Sequence, residues 1–176
     1  MRLSVDIERL TAFMHALGKA VKGPGRVYIV GGSTALLLGI RSQTIDIDIK
    51  PDPEPGGLFE AIADLKERLS INVELASPDH FIPAIPGWEE RSEFILRSGS
   101  VDFYHYDFYG QALGKVLRGH RTDLSDAEAL VRLGKVDPAK LLFHFEEIRH
   151  EIIRYPAVNV GDFAAKVLAF VGGIHG

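Results

Sequence analysis

The sequence predicts an α+β protein: a small mixed β-sheet flanked by helices, with a helical C-terminal part. Three observations carry this. Apolar residues recur at helical spacing over 4–21 and again over 58–69. Short runs rich in Val, Ile and aromatic residues alternate with those helices. After Tyr106 the strand pattern stops and only helical patterns follow.

Taken in order, residues 4–21 form an amphipathic helix with Ile7, Leu10, Met14, Leu17 and Val21 on its apolar face. The KGPGR turn at 22–26 ends it. Residues 27–30 make a short buried strand, which Gly31-Gly32 breaks, and 33–38 turn helical. Residues 45–50, IDIDIK, form a second strand whose isoleucines bury one side. PDPEPGG at 51–57 is a loop, 58–69 a second amphipathic helix, and 72–75 a third strand. The stretch 78–91 is irregular, with prolines at 78, 83 and 86. Its Phe81 and Trp88 either pack beneath the loop or cover a site. Residues 93–96 and 101–106 pair as a hairpin about Ser98-Gly99-Ser100.

Residues 111–118 are helical. Ser125 with Glu128 makes a capping-box pattern for the next helix, and Asp137-Pro138 a cap and first-turn pair for a third. The last helix spans about 162–171, with GGIHG at 172–176 expected to fray. This divides the chain into a core with its N-terminal helix, 1–107, and a helical extension packed on it, 108–176.

Composition narrows the function. The chain has 176 residues, 46% hydrophobic and 25% charged, as in soluble globular proteins. No apolar run approaches the roughly 18 residues that cross a bilayer, so no membrane partner is expected. MRLSVDIERL lacks the apolar core of a signal peptide. There is no cysteine, which excludes disulfides and thiolate metal sites. A cytoplasmic location is expected. The net charge of −4 argues against a broad nucleic-acid field. One local basic cluster exists: Lys115, Arg118, His120 and Arg121, with Arg132 and Lys135 beyond.

The second strand is chemically odd. Asp46 and Asp48 share a face, ~6.6 Å apart at ~3.3 Å per residue. Like charges at that distance repel by about 2.5 kcal/mol at an effective dielectric of 20, and about 0.6 in water. A cation between them removes the penalty. Magnesium suits such oxygen ligands and keeps positions open for water and phosphate. Ahead of the strand, Gly31-Gly32-Ser33 lets the backbone approach a ligand, and the helix after it offers N–H groups to an anion. The turn and the acids are 13 positions apart, from Ser33 to Asp46. A phosphate cradle beside a carboxylate pair fits phosphoryl or nucleotidyl transfer. The stretch has neither the GxGxxG nor the P-loop pattern.

GGS followed by DID on the next strand resembles the DNA polymerase β-type nucleotidyltransferase superfamily, over roughly residues 25–107. The resemblance implies a nucleotidyltransferase-like fold and a nucleoside triphosphate substrate with two magnesium ions (Mg2+). It implies that Gly31, Gly32 and Ser33 hold the terminal phosphates and that Asp46 and Asp48 ligate metal. A third carboxylate follows in such enzymes and helps activate the attacking hydroxyl. Glu74 is preferred by strand order, with Asp102 the alternative.

The run KVLRGHRTDLSD, 115–126, resembles small nucleotidyltransferase-like proteins related to abortive-infection type IV toxins. Arg41 and Thr44 ahead of the DID strand also fit that pattern. The resemblance implies that Lys115 or Arg118 neutralises a triphosphate, with Lys115 among the catalytic candidates. It also implies that Asp123 or Asp126 positions a basic partner. Both aspartates also suit a helix start. The expected acceptor is an RNA end or a protein hydroxyl. The alternative function is a catalytically degenerate fold that binds nucleotide or pairs with a cognate antitoxin.

His144, Glu147 and Glu151 share a helical face, as do Glu146 and His150, but without zinc-site spacing. His105 and Tyr106 read as strand residues near the site.

Overall fold

The computed structural model describes residues 2–174. Asp6 caps the first helix, its carboxylate accepting from the Arg9 N–H. Helix α1 therefore begins at Ile7, three residues later than the periodicity suggests, and ends at Ala20, one residue earlier. Leu10, Phe13, Met14 and Leu17 are buried on its inner face. Ile7 is about half exposed, contrary to expectation. Val5, bridged to Thr44 ahead of the helix, fills that end of the core instead.

The strands are β1 (Gly25–Val30), β2 (Asp46–Pro51), β3 (Asn72–Leu75), β4 (Glu93–Ser98) and β5 (Val101–His105). Helices α2 (Gly32–Leu37) and α3 (Leu58–Arg68) lie between the first three, and the short α4 (Trp88–Arg91) precedes β4. The five strands form one mixed sheet in the order β3-β2-β1-β5-β4. Strand β1 is antiparallel to β2 and parallel to β5; β2 is parallel to β3; β4 and β5 form the expected hairpin. Gly99 turns that hairpin at φ 58°, a conformation suited to glycine. This is the α+β architecture that the sequence predicts.

Side-chain alternation gives the sheet two unlike faces. Val27, Ile29, Ile47, Ile49, Val73, Val101 and Phe103 face one core with α1 and α3. The opposite face of β2 and β3 carries Asp46, Asp48, Asn72 and Glu74. Ile45 does not join the core: it lies one residue before β2 and is 77% exposed. Two isoleucines, not three, anchor this strand.

The chain divides into two compact units. The first runs up to Ser77 and includes Ser92–Tyr106; the second comprises Pro78–Arg91 and the residues from Asp107 onward. In the second, α5 (Phe108–Arg118), α6 (Arg121–Arg132), α7 (Pro138–Arg149) and α8 (Val160–Ile174) follow in order. Asp107 caps α5 by accepting from the Tyr109 N–H. The same carboxylate grips Arg91 with two hydrogen bonds, at 3.1 and 2.8 Å. Burial opposes the Arg91 charge, but the Asp107 hydrogen bond and charge outweigh it and raise the guanidinium pKa further.

Several helix ends differ from expectation. The Ser125–Glu128 capping box is not used, because α6 already starts at Arg121 and Ser125 lies inside it. Gly119 closes α5 in the left-handed conformation and the chain re-enters a helix at once. Asp137 does cap α7, accepting from the Ala139 and Lys140 N–H groups, with Pro138 in the first turn. Helix α8 extends from Val160 to Ile174, so Gly172, Gly173 and Ile174 are helical rather than frayed. His175 and Gly176 lie outside the described residues. In the 78–91 segment Phe81 is 57% exposed, so it does not pack beneath the loop. Among the described residues no helix is long and apolar enough to cross a membrane.

Candidate active site

Strand β1 ends at Val30, and Gly31 turns the chain at φ 66°, ψ −133°, a region essentially reserved for glycine. A Cβ on Gly31 would stand 3.1 Å from Asp48 Oδ2. A Cβ on Gly32 would meet Thr44 Oγ1 at 2.2 Å and Arg41 Nη1 at 3.6 Å. The missing side chains thus let the turn close against three of the expected site residues: Asp48, Thr44 and Arg41. Sequence spacing alone does not show that closeness.

Ser33 is fully buried, and its hydroxyl has no hydrogen-bond partner among the described residues. Burying an unbonded hydroxyl costs on the order of 1–3 kcal/mol. Thr34, the next residue, is satisfied. Its hydroxyl donates to the Ile29 carbonyl at 3.1 Å and lies 3.0 Å from His105 Nδ1. The carbonyl can only accept, so the threonine proton goes there. This pair ties the start of α2 to β1 and β5. Thr34 and its bond to His105 have no signal in the sequence, because only the parallel register of β1 and β5 sets His105 beside Ile29.

On β2, Asp46 and Asp48 are half-buried while Ile47 and Ile49 are buried on the opposite face. Asp48 is in register with Val30 on β1 and with Glu74 on β3. Glu74 is therefore one strand away from Asp48, ~4.8 Å between backbones, on the same face. Asn72, in register with Asp46, donates from Nδ2 to Asp46 Oδ1 at 2.8 Å and to Glu74 Oε1 at 3.0 Å. Asp102 is placed differently. It pairs in register with Arg26, at the start of β1, and its carboxylate lies 3.7 Å from Arg97 Nη1. The sheet groups Glu74, not Asp102, with the aspartate pair. Among the described residues no three His, Asp or Glu side chains are gathered closely enough to hold a metal ion. The oxygen donors share a face without converging on one point.

In the second unit, Lys115 Nζ lies 3.0 Å from Asp126 Oδ2, both nearly inaccessible. Arg118 Nη2 lies 2.7 Å from Asp123 Oδ1, and His120 Nδ1 lies 3.4 Å from Asp123 Oδ2. Asp123 is buried, whereas Arg118 is 58% exposed. Lys115, Arg118, Asp123 and Asp126 of the KVLRGHRTDLSD run thus form two cross-helix pairs joining α5 to α6. His144 Nδ1 meets Glu147 Oε1 at 2.6 Å on α7, a local pair.

A family model described as "Nucleotidyltransferase of unknown function (DUF6036)" matches residues 6–155. The chain belongs to this family. No curated protein matches the chain, and no solved structure does. The DUF6036 match spans the glycine turn, the DID strand, β3 and the paired charges of α5 and α6. A nucleotidyltransferase-like family is the class that the GGS turn and DID strand imply.

Proposed function

We propose that this DUF6036 chain is a magnesium-dependent nucleotidyltransferase of the DNA polymerase β type, related to abortive-infection toxin nucleotidyltransferases. It would move a nucleotidyl group from a nucleoside triphosphate to an RNA end or a protein hydroxyl. One observation carries the reading: the unbonded, buried Ser33 hydroxyl at a glycine turn that closes on Asp48, Thr44 and Arg41. A buried donor without a partner beside a backbone cradle fits an anionic group.

The chemistry of the donors suits the metal, and the three acids, which share a face without converging among the described residues, would have to draw together around it. Asp46, Asp48 and Glu74 offer only hard oxygens, the ligands magnesium prefers, and leave positions for water and phosphate. Bound there, magnesium would neutralise phosphate charge and polarise the oxygens that form and break bonds. The chain's own residues do the rest. Gly31, Gly32 and Ser33 would hold the terminal phosphates, with Arg41 and Thr44 at the same turn. The buried Ile47 and Ile49 anchor the strand that presents Asp46 and Asp48 on its other face. In the second unit, Lys115 and Asp126 hold one another, while the more exposed Arg118 is the better candidate to meet an anion.

The test incubates the protein with labelled nucleoside triphosphates, Mg2+ and acceptors bearing free RNA 3′ ends or protein hydroxyls. Label transfer is expected, and Asp46→Asn with Asp48→Asn should abolish it. Transfer that survives this double substitution rejects the assignment.

One observation favours a second reading. Because no three acids converge among the described residues, the fold would bind nucleotide without turning it over, as a regulatory or antitoxin-partnered module. Calorimetry separates the two: nucleotide binding without label transfer supports the module.

A further inference from the structure

The second unit carries a cavity of about 700 Å³, a size within the roughly 300–1,000 Å³ of small-ligand sites. His80, Phe81, Arg154, Tyr155, Asp162 and Lys166 supply its aromatic and polar walls, with apolar residues between them. The Tyr155 hydroxyl donates to the Asp79 carbonyl at 3.4 Å, which ties the short helical turn at 78–80 to the one at 152–154. Phe81 follows the first turn. It is 57% exposed, with its ring centroid 6.3 Å from that of His80. An exposed ring lining a cavity offers a flat face to a flat ligand. Two cations accompany it. The Arg154 guanidinium has no hydrogen-bonding or ionic partner among the described residues. Lys166 gives one ammonium hydrogen to the Leu117 carbonyl at 2.8 Å and keeps two. Asp162, one turn before Lys166 on α8, adds an acceptor and forms no ion pair among the described residues.

We infer that this cavity takes one unpaired nucleotide of a single-stranded RNA. The base stacks on Phe81 and turns an N–H edge to Asp162, and its phosphate lies against Arg154 and Lys166. Sites for single strands combine such rings with such cations. A flat ring, an anion and edge N–H donors occur together in a nucleotide, whereas an acidic peptide would satisfy the cations and leave Phe81 unused. The inference rests on the proposed transferase reading and narrows its acceptor to an RNA end.

Fluorescence anisotropy of a labelled, short oligoadenylate tests this on the whole chain, without Mg2+ or triphosphate. Wild type should bind it, and a fully paired RNA duplex should bind more weakly. Phe81→Ala should weaken binding about 5- to 150-fold, the span of one lost base stack. Phe81→Trp should retain binding, while Phe81→Leu, which keeps bulk without a π face, should not. Arg154→Ala should lower the slope of log affinity against log salt by about 0.7. Both side chains are exposed, so thermal midpoints should match the wild type. No RNA binding, or equal binding by Phe81→Ala and Arg154→Ala, overturns the inference and leaves transfer to a protein hydroxyl standing. Displacement of the RNA by nucleoside triphosphate also overturns it, because the cavity would then serve the donor nucleotide. RNA binding lost in these variants, with no label transfer by wild type, keeps the site and rejects the transferase reading.

Discussion

On α5 and α6 each aspartate meets a cation: Asp126 meets Lys115, and Asp123 meets Arg118 and the His120 ring. On β2 and β3, the side chains of Asp46 and Glu74 meet, among the described residues, only the Asn72 amide. Both regions spend acidic residues on regular elements, but they do so to different ends. A buried carboxylate matched by a cation is part of how two helices hold together. Two carboxylates held on one sheet face by a neutral amide, as Asp46 and Glu74 are, do not bind two elements through charge. If this contrast is right, substitutions should split cleanly between loss of stability and loss of binding.

The largest stability effect is expected at Asp126. Removing it strands the Lys115 ammonium in a site that is 7% exposed. Breaking one partner of a buried pair typically costs 3–5 kcal/mol, so Asp126→Ala should lower the denaturation midpoint by about that much. Replacing both partners, Lys115→Met with Asp126→Leu, should restore most of the loss. A single substitution costing under about 1 kcal/mol would break the comparison at its structural end.

Next comes Gly32→Ala, which tests the turn. Its Cβ would collide with the Thr44 hydroxyl at 2.2 Å. Overpacking of this kind costs about 1–3 kcal/mol. The variant should also bind nucleoside triphosphate more weakly, since the shift moves Thr44 and Arg41. Chemical denaturation and nucleotide calorimetry measure the two effects separately.

The parts of this architecture differ in how readable they are from sequence. Strand β3, the hairpin and the Asp137-Pro138 helix start follow from local pattern and capping chemistry, and they fall where expected. The GGS turn and DID strand are also local signals. What local pattern misses is set by register. Asn72 joins Asp46 to Glu74 only because β3 runs parallel to β2, and His105 reaches Thr34 only because β5 runs parallel to β1. The start of α6 was hidden for another reason. Gly119 allows a helix to restart immediately, which turned a plausible Ser125 cap into a mid-helix residue. Ile45 fits the alternation yet lies outside β2, because periodicity does not show where hydrogen bonding begins.

Arg118→Ala should be milder. The guanidinium is 58% exposed, and exposed pairs contribute about 0–1 kcal/mol. Asp123 keeps its place in the first turn of α6, where the helix dipole favours an acid. A midpoint change within about 1 kcal/mol is expected. If nucleotide binding falls while stability barely moves, the Arg118 guanidinium serves an anion rather than the helix pair.

The smallest stability effect, and the most discriminating, is expected at Asp46. Asp46→Asn keeps an oxygen that can accept from Asn72 and removes one of two like charges ~6.6 Å apart on β2. The relieved repulsion lies between about 0.6 kcal/mol in water and 2.5 at an effective dielectric of 20. Asp46 is only half-buried, which puts the gain toward the lower figure. Stability should therefore be unchanged or rise by a few tenths of a kcal/mol, while Mn2+ binding falls. A loss above about 1 kcal/mol would mean that the Asp46 charge itself supports the sheet, and the two regions would no longer differ. Unchanged stability with lost metal binding would mean that the fold tolerates this acid without needing it, as expected of a residue kept for a ligand.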